Sequence, residues 1–226
     1  MNVQEKDITS KTVYKDNFID RLCIAFLSQK MVKAVGNETQ FDGYEGFVDL
    51  SQQIMSGRDA QQQQDLVGEI LQSVVPAPVL ALLRRIVPAN KWVCESNAWF
   101  AKTFFVWLVG ECELKEVEVE TKNGEVRSQL SGVHIKKCRY LEESGCVGMC
   151  VNMCKLPTQK FFTESFGIPL TMTPDFEDLS CEMVFGQNPP PFEEEEASRQ
   201  PCLGSLCPSA VKSSTCYKLA SQEPNS

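Results

Sequence analysis

The chain has 226 residues and a single histidine, His134. That shortage argues against a Cys2His2 zinc site and against a histidine-rich iron site. Basic charge is also scarce: 22 Lys and Arg stand against 30 Asp and Glu, for a formal charge of −8 and no basic stripe. A nucleic-acid binder is excluded, because phosphate recognition needs a basic surface. No apolar run reaches the ~18 residues that would predict a membrane span. Residues 1–7 are polar and mixed in charge, resembling neither an apolar signal peptide nor an Arg- and Ser-rich transit peptide. They read as the start of a cytosolic chain, or of one numbered after a targeting segment. The paired Cys-x2-Cys knuckles of zinc ribbons are missing as well.

What remains is an ordinary globular composition, 42% hydrophobic and 23% charged, in a chain long enough for one cored domain with an appended module. The expected fold class is α+β: an N-terminal helical bundle, then a β-hairpin, then a cysteine-rich, metal-binding C-terminal module. Residues 1–12 read as a mobile leader and 13–110 as the helical region. Residues 111–207 read as hairpin plus cysteine-rich module in one domain with it, and 208–226 as a disordered tail. Apolar residues at helical spacing predict helices over 14–36, 44–55, 59–75 and 80–87, with Pro76 and Pro78 as breakers. Residues 92–110 hold aromatics on all sides, which predicts an enclosed core helix or the wall of an apolar tunnel. Alternation over 112–120 and 126–135, with a Lys122-Asn123-Gly124 turn, predicts the hairpin. Gly132 marks a bulge or a close approach. A further helix over 147–160 should end near Pro157. Residues 167–182 read as irregular with one short strand, and the acidic run 193–196 as a solvated loop.

Cysteine is the outlier. Nine of the eleven fall after residue 110, without the short chain and even count of a secreted disulfide framework. Thiols kept reduced for metal or redox chemistry are the better reading. Cys146, Cys150 and Cys154 follow an i, i+4, i+8 spacing that lines one face of an α-helix. Three soft donors on one stripe can grip a metal, but one helix cannot close a tetrahedral site. Cys181 is the first candidate for the fourth ligand, with Cys138, Cys202 and Cys207 as alternatives. The spacing departs from the ferredoxin pattern, and buried cysteines also serve as small hydrophobes. His134 reads as a strand residue, or else as a ligand or proton carrier near Cys138. Glu142 and Glu143 read as solvated carboxylates, or as hard ligands for mononuclear iron.

Residues 137–162, KCRYLEESGCVGMCVNMCKLPTQKFF, continue as FGIPLTMTPDFEDLSCEMVFGQNPPP and end in PCLGSLC. This string resembles the C-terminal signature of the plant β-carotene isomerases of strigolactone biosynthesis, the dwarf-twenty-seven type, over about residues 133–208. The resemblance implies a plastid enzyme that reversibly isomerises all-trans-β-carotene to its 9-cis form or related isomers. It also implies iron, as an iron–sulfur cluster or a mononuclear ion. A carotenoid substrate needs an apolar wall, for which Trp99, Phe100, Phe104, Trp107, Phe161 and Phe162 are candidates. The expected partners are the carotenoid and, through residues 92–109, a membrane surface. From the cysteines alone the competing readings are a non-catalytic iron–sulfur or metal-binding electron carrier or scaffold, and a zinc-stabilised interaction module.

Overall fold

The computed structural model describes residues 11–86, 90–120, 124, 126–203, 216 and 219. The expectations for residues 1–10 and for most of the tail lie outside these, as does Cys207.

Helices α1 (Phe18–Val35), α2 (Gly43–Met55) and α3 (Ala60–Val74) pack on one another. Asn17 caps α1 through the Ile19 and Asp20 N–H groups, Asp20 answers to the cap backbone, and Gly36 closes the helix at φ 83°. Such a box satisfies donors that a helix start otherwise leaves orphaned. α4 (Ala77–Ile86) starts three residues earlier than its pattern predicts. Pro78 is therefore no breaker: in the first turn its missing N–H would have had no intrahelical partner anyway.

The predicted helix over 92–110 divides at Phe105 into α5 (Lys91–Phe104) and α6 (Val106–Val109). The expectation of enclosure is corrected. α5 lays Cys94, Ala98 and Ala101 against the sheet, and Trp92, Trp99, Phe100 and Phe104 stand in solvent. Small residues line its inner face because the backbone sits close to β2, leaving no room there for the rings.

Strands β1 (Cys112–Glu120) and β2 (Val126–Ile135) fall where the alternation places them. A register shift lies between Lys115 and Val117. Opposite it, a Cβ on Gly132 would meet Val117 Cγ1 at 2.7 Å and the Lys115 carbonyl at 2.9 Å. Bulge and close approach are one feature. Residues 167–182 are more regular than expected: β3 (Leu170–Pro174) and β4 (Cys181–Phe185) complete an antiparallel sheet of order β1-β2-β4-β3. The link between them turns at Leu179, which takes φ 63° without being glycine.

Between hairpin and β3 lie α7 (Arg139–Ser144) and a long helical stretch. That stretch does not stop at Pro157. It runs as a π-helical segment Met149–Lys155, α8 (Leu156–Lys160) and a second π-helical segment Phe161–Phe166, closed by Gly167 at φ 74°. Pro157 falls where the hydrogen-bond spacing changes from i+5 to i+4, and there its absent N–H is tolerated. The acidic run is not simply solvated either: it forms two short 3-10 turns, and Glu195 folds inward.

Candidate functional site

Four thiols converge. Cys138 at the start of α7, Cys150 and Cys154 on the first π-helical segment, and Cys181 at the head of β4 line one cavity of about 20 Å³, with Tyr140 and Lys155. π-Helical winding turns successive i, i+4 side chains differently from an α-helix. Cys146, which precedes the segment, is buried but does not line this cavity. Cys202 is half-buried beside the core. No disulfide involves Cys138, Cys150, Cys154 or Cys181.

The cavity is apolar, and its thiols are held protonated. Burial pushes Cys138 up to about 11, although the Leu141 and Tyr140 N–H groups pull the other way. Burial and the neighbouring Cys138 push Cys154 up to about 12. Cys150 and Cys181 rise well above the ordinary value, again by burial first. Lys155 opposes the rise at all three of Cys150, Cys154 and Cys181.

Among the described residues, no three His, Cys, Asp or Glu side chains are grouped as an ion's ligand shell. The donor set nevertheless fits a soft metal by type: four sulfurs from three elements around one space. A cavity of about 20 Å³ has room for one water-sized body.

A second, apolar cavity of about 80 Å³ lies between α1, α2 and α3. Leu27 and Met31 of α1, Phe47 and Ile54 of α2, and Val67 and Ile70 of α3 line it, together with Tyr140 and Cys154. Those last two also line the thiol cavity, so one wall separates the spaces.

His134 is not brought to the thiols. It pairs with Glu182 of β4 on the outer face of the sheet, its Nδ1 2.7 Å from Glu182 Oε1 but poorly aligned for a hydrogen bond. Glu142 and Glu143 are anchors. The Glu142 carboxylate accepts from the Thr12 N–H and hydroxyl, from Tyr14 OH at 2.7 Å and from Lys137 Nζ at 2.7 Å. Glu143 pairs with Lys11. Burial pushes Glu142 up, but Lys137, Thr12 and Tyr14 outweigh it and hold the carboxyl below its ordinary value. Of the aromatic wall, Trp107 is buried, Trp99, Phe100 and Phe104 are exposed, and Phe161 and Phe162 are half-buried in a ring cluster with Phe166.

Three residues were not singled out by pattern. Arg139 is buried, bonded to Asp16 and the Trp107 carbonyl and set 3.7 Å from the Tyr44 ring centroid. Lys155 is the only charge in residues 144–159, a signal that could have flagged it. Glu195 was hidden among four consecutive glutamates.

A family model described as "Beta-carotene isomerase D27-like, C-terminal" matches residues 107–194. The "Beta-carotene isomerase D27, chloroplastic" of Medicago truncatula is 41% identical over 206 residues, covering 91% of this chain and 79% of that protein. The chain belongs to the β-carotene isomerase D27 family. The D27 of Arabidopsis thaliana, of the same printed name, is 38% identical over 201 residues, covering 88% of this chain and 74% of that relative. No solved structure matches this D27-family chain. Both relatives are named chloroplastic, in agreement with the plastid location expected from the C-terminal string.

Proposed function

We propose that this chain is a plastid carotenoid isomerase that interconverts all-trans-β-carotene and its 9-cis or related isomers, with iron held by its buried cysteines. The relatives' names support the reaction class. The observation that carries the site is the shared wall: Tyr140 and Cys154 face both the apolar cavity and the thiol cavity. A polyene in the first would lie against the donors of the second.

Cys150, Cys154 and Cys181 would hold the ion, and Cys138 takes the place that the helical spacing assigns to Cys146. The small volume favours a single ion over a cluster. When bound, iron would supply reversible one-electron exchange, which lowers the bond order of a conjugated double bond without net oxidation. The chain's own residues exclude water, hold the thiols and orient the polyene. A drug-sized ligand commonly occupies ~300–1,000 Å³, far more than about 80 Å³. Binding therefore requires the elements around this cavity to part, for which an outward shift of α1, which supplies Leu27 and Met31, is one route.

Anaerobically purified protein incubated separately with each isomer tests the reading. All-trans and 9-cis substrate should approach the same final mixture. Cys150→Ser, Cys154→Ser and Cys181→Ser should lose iron and activity together, and Cys146→Ser should retain most of both. Iron that stays bound without any isomerisation would point to an electron carrier instead. Full activity in metal-free protein would sink the iron assignment.

A further inference from the structure

Lys155 is 1% exposed, and its ammonium has three acceptors on three different elements. Gln159 Oε1 on α8 lies at 2.8 Å, the Met172 carbonyl on β3 at 2.7 Å, and Glu195 Oε2 on the 3-10 turns at 2.6 Å. Three donors meet three acceptors, so the group is saturated. Gln159 Oε1 also accepts the Met172 N–H at 2.8 Å. β3 is an edge strand, and Met172 turns both backbone groups toward this lysine and glutamine. Edge backbone groups that would otherwise lack partners are thereby satisfied by a helix.

The location gives the arrangement its significance. Lys155 directly follows Cys154 and lines the thiol cavity with Cys150, Cys181 and Met172. The helix it belongs to carries Cys150 and Cys154. The strand it reaches pairs with β4, where Pro174 stands opposite Cys181. A buried ion pair is a poor device for stability alone, since an apolar replacement is commonly neutral or better. Its advantage is direction: an apolar contact tolerates sliding, and three charge-assisted hydrogen bonds to one nitrogen do not. Glu195 supplies the counter-charge, and its Oε1 is buried without a hydrogen-bond partner. A desolvated oxygen of that kind is costly, which argues that the turn is held in place for the sake of the lysine.

We propose that Lys155 is a positioning residue that locks the helix bearing Cys150 and Cys154 against β3, the strand paired with the one bearing Cys181, with Glu195 as the clasp that closes the 192–199 turns over it. The significance for catalysis rests on the function proposed above, but the geometry is testable without it.

The test is residue-resolved alkylation of full-length protein by N-ethylmaleimide, quantified by mass spectrometry. Lys155→Met alone leaves Glu195 buried and unpaired and risks unfolding, so the principal variant is Lys155→Met/Glu195→Gln, with Gln159→Leu as a second. Cys94, buried on the inner face of α5, reports any global loosening. The expected result is labelling of Cys150, Cys154 and Cys181 at least ~10-fold faster than in the wild type, through local opening, with Cys94 and the melting temperature nearly unchanged. Equal protection of all four thiols in both variants would overturn the proposal. So would a parallel rise at Cys94, which would make the ion pair a general stabiliser. Isomerisation assayed on the same preparations reports separately on the functional reading.

Discussion

His134 and Cys181 lie on adjacent strands, one register step apart, and on opposite faces of the sheet. Ile135 pairs with Cys181 toward the core, and His134 pairs with Glu182 outward. A strand alternates its side chains with period two, so four residues of sequence separation from Cys138 gave no access to the cavity. His134→Ala should therefore keep isomerisation within ~3-fold of wild type, since loss of a general acid or base costs ~100-fold or more. The Glu182 contact is partly exposed and should cost under ~1 kcal/mol in thermal denaturation. A 100-fold drop in rate would return the histidine to the mechanism.

Glu142 should behave as an anchor. Glu142→Gln removes the charge that Lys137, Thr12 and Tyr14 share, and should cost ~1–3 kcal/mol and speed proteolysis ahead of α1. The pH dependence has a definite sign. The folded carboxyl titrates below 4.5, so its contribution is present above pH 4.5 and is lost as the pH falls through the lowered folded value. The variant should lack that part of the acid limb. Identical acid limbs would show that the anchor carries no stability.

The thiol cavity predicts an alkaline limb. Cys138 and Cys154 are raised from 9.0 to about 11 and about 12 in the folded chain. Between those values the unfolded chain loses protons that the folded chain retains, so stability is complete below pH 9 and falls as pH rises. Each such thiol adds a slope of up to ~1.4 kcal/mol per pH unit. Metal-free Cys138→Ala and Cys154→Ala should each flatten the decline of melting temperature above pH 9. Binding of the proposed iron would require thiolates, and so would release protons and strengthen with pH. An unaltered limb in both variants would mean that these thiols do not titrate as their burial dictates.

Much of this was legible locally. The strands of the hairpin follow from period-two alternation, and α2 and α3 follow from helical spacing. The cysteine-rich string identified the family because it is long and specific. What was hidden depends on long-range packing. Cys138 lines the cavity and Cys146 does not, and the π-helical winding beside them is set by the surrounding core, which has no signature in residue spacing. Pro157 looked like a stop for the same reason. β4 carries Glu182 for an outer-face pair and Cys181 for the cavity, so a short run could not be recognised as an inner strand before β2 was placed beside it. Glu195 was indistinguishable from its neighbours until Lys155 was found buried opposite.

Contact with a membrane falls to the apolar faces of α5 and α1. No described helix is long and apolar enough to cross one, but α5 holds Trp92, Trp99, Phe100 and Phe104 outward, with Phe100 and Phe104 stacked at 5.1 Å. α1 likewise exposes Phe18, Leu22 and Phe26. The charge is unevenly divided: residues 11–110 carry ten Lys or Arg and ten Asp or Glu, and residues 111–203 carry nine and seventeen. The half with the exposed rings is thus neutral, suited to an uncharged lipid surface, and the acidic excess resides with the sheet. Binding to phosphatidylcholine vesicles should persist when salt is raised to ~0.5 M, because apolar insertion is not screened. A Trp99→Ser/Phe100→Ser/Phe104→Ser variant should fold, since these rings are 42–59% exposed, but should partition ~100-fold more weakly, the exposed half of each ring contributing ~1 kcal/mol. Phe18→Ser/Leu22→Ser tests whether α1, which lines the apolar cavity, shares the contact. Flotation with vesicles at low and high salt decides the matter: attachment abolished by salt, or unchanged in the α5 variant, would remove this face from the membrane.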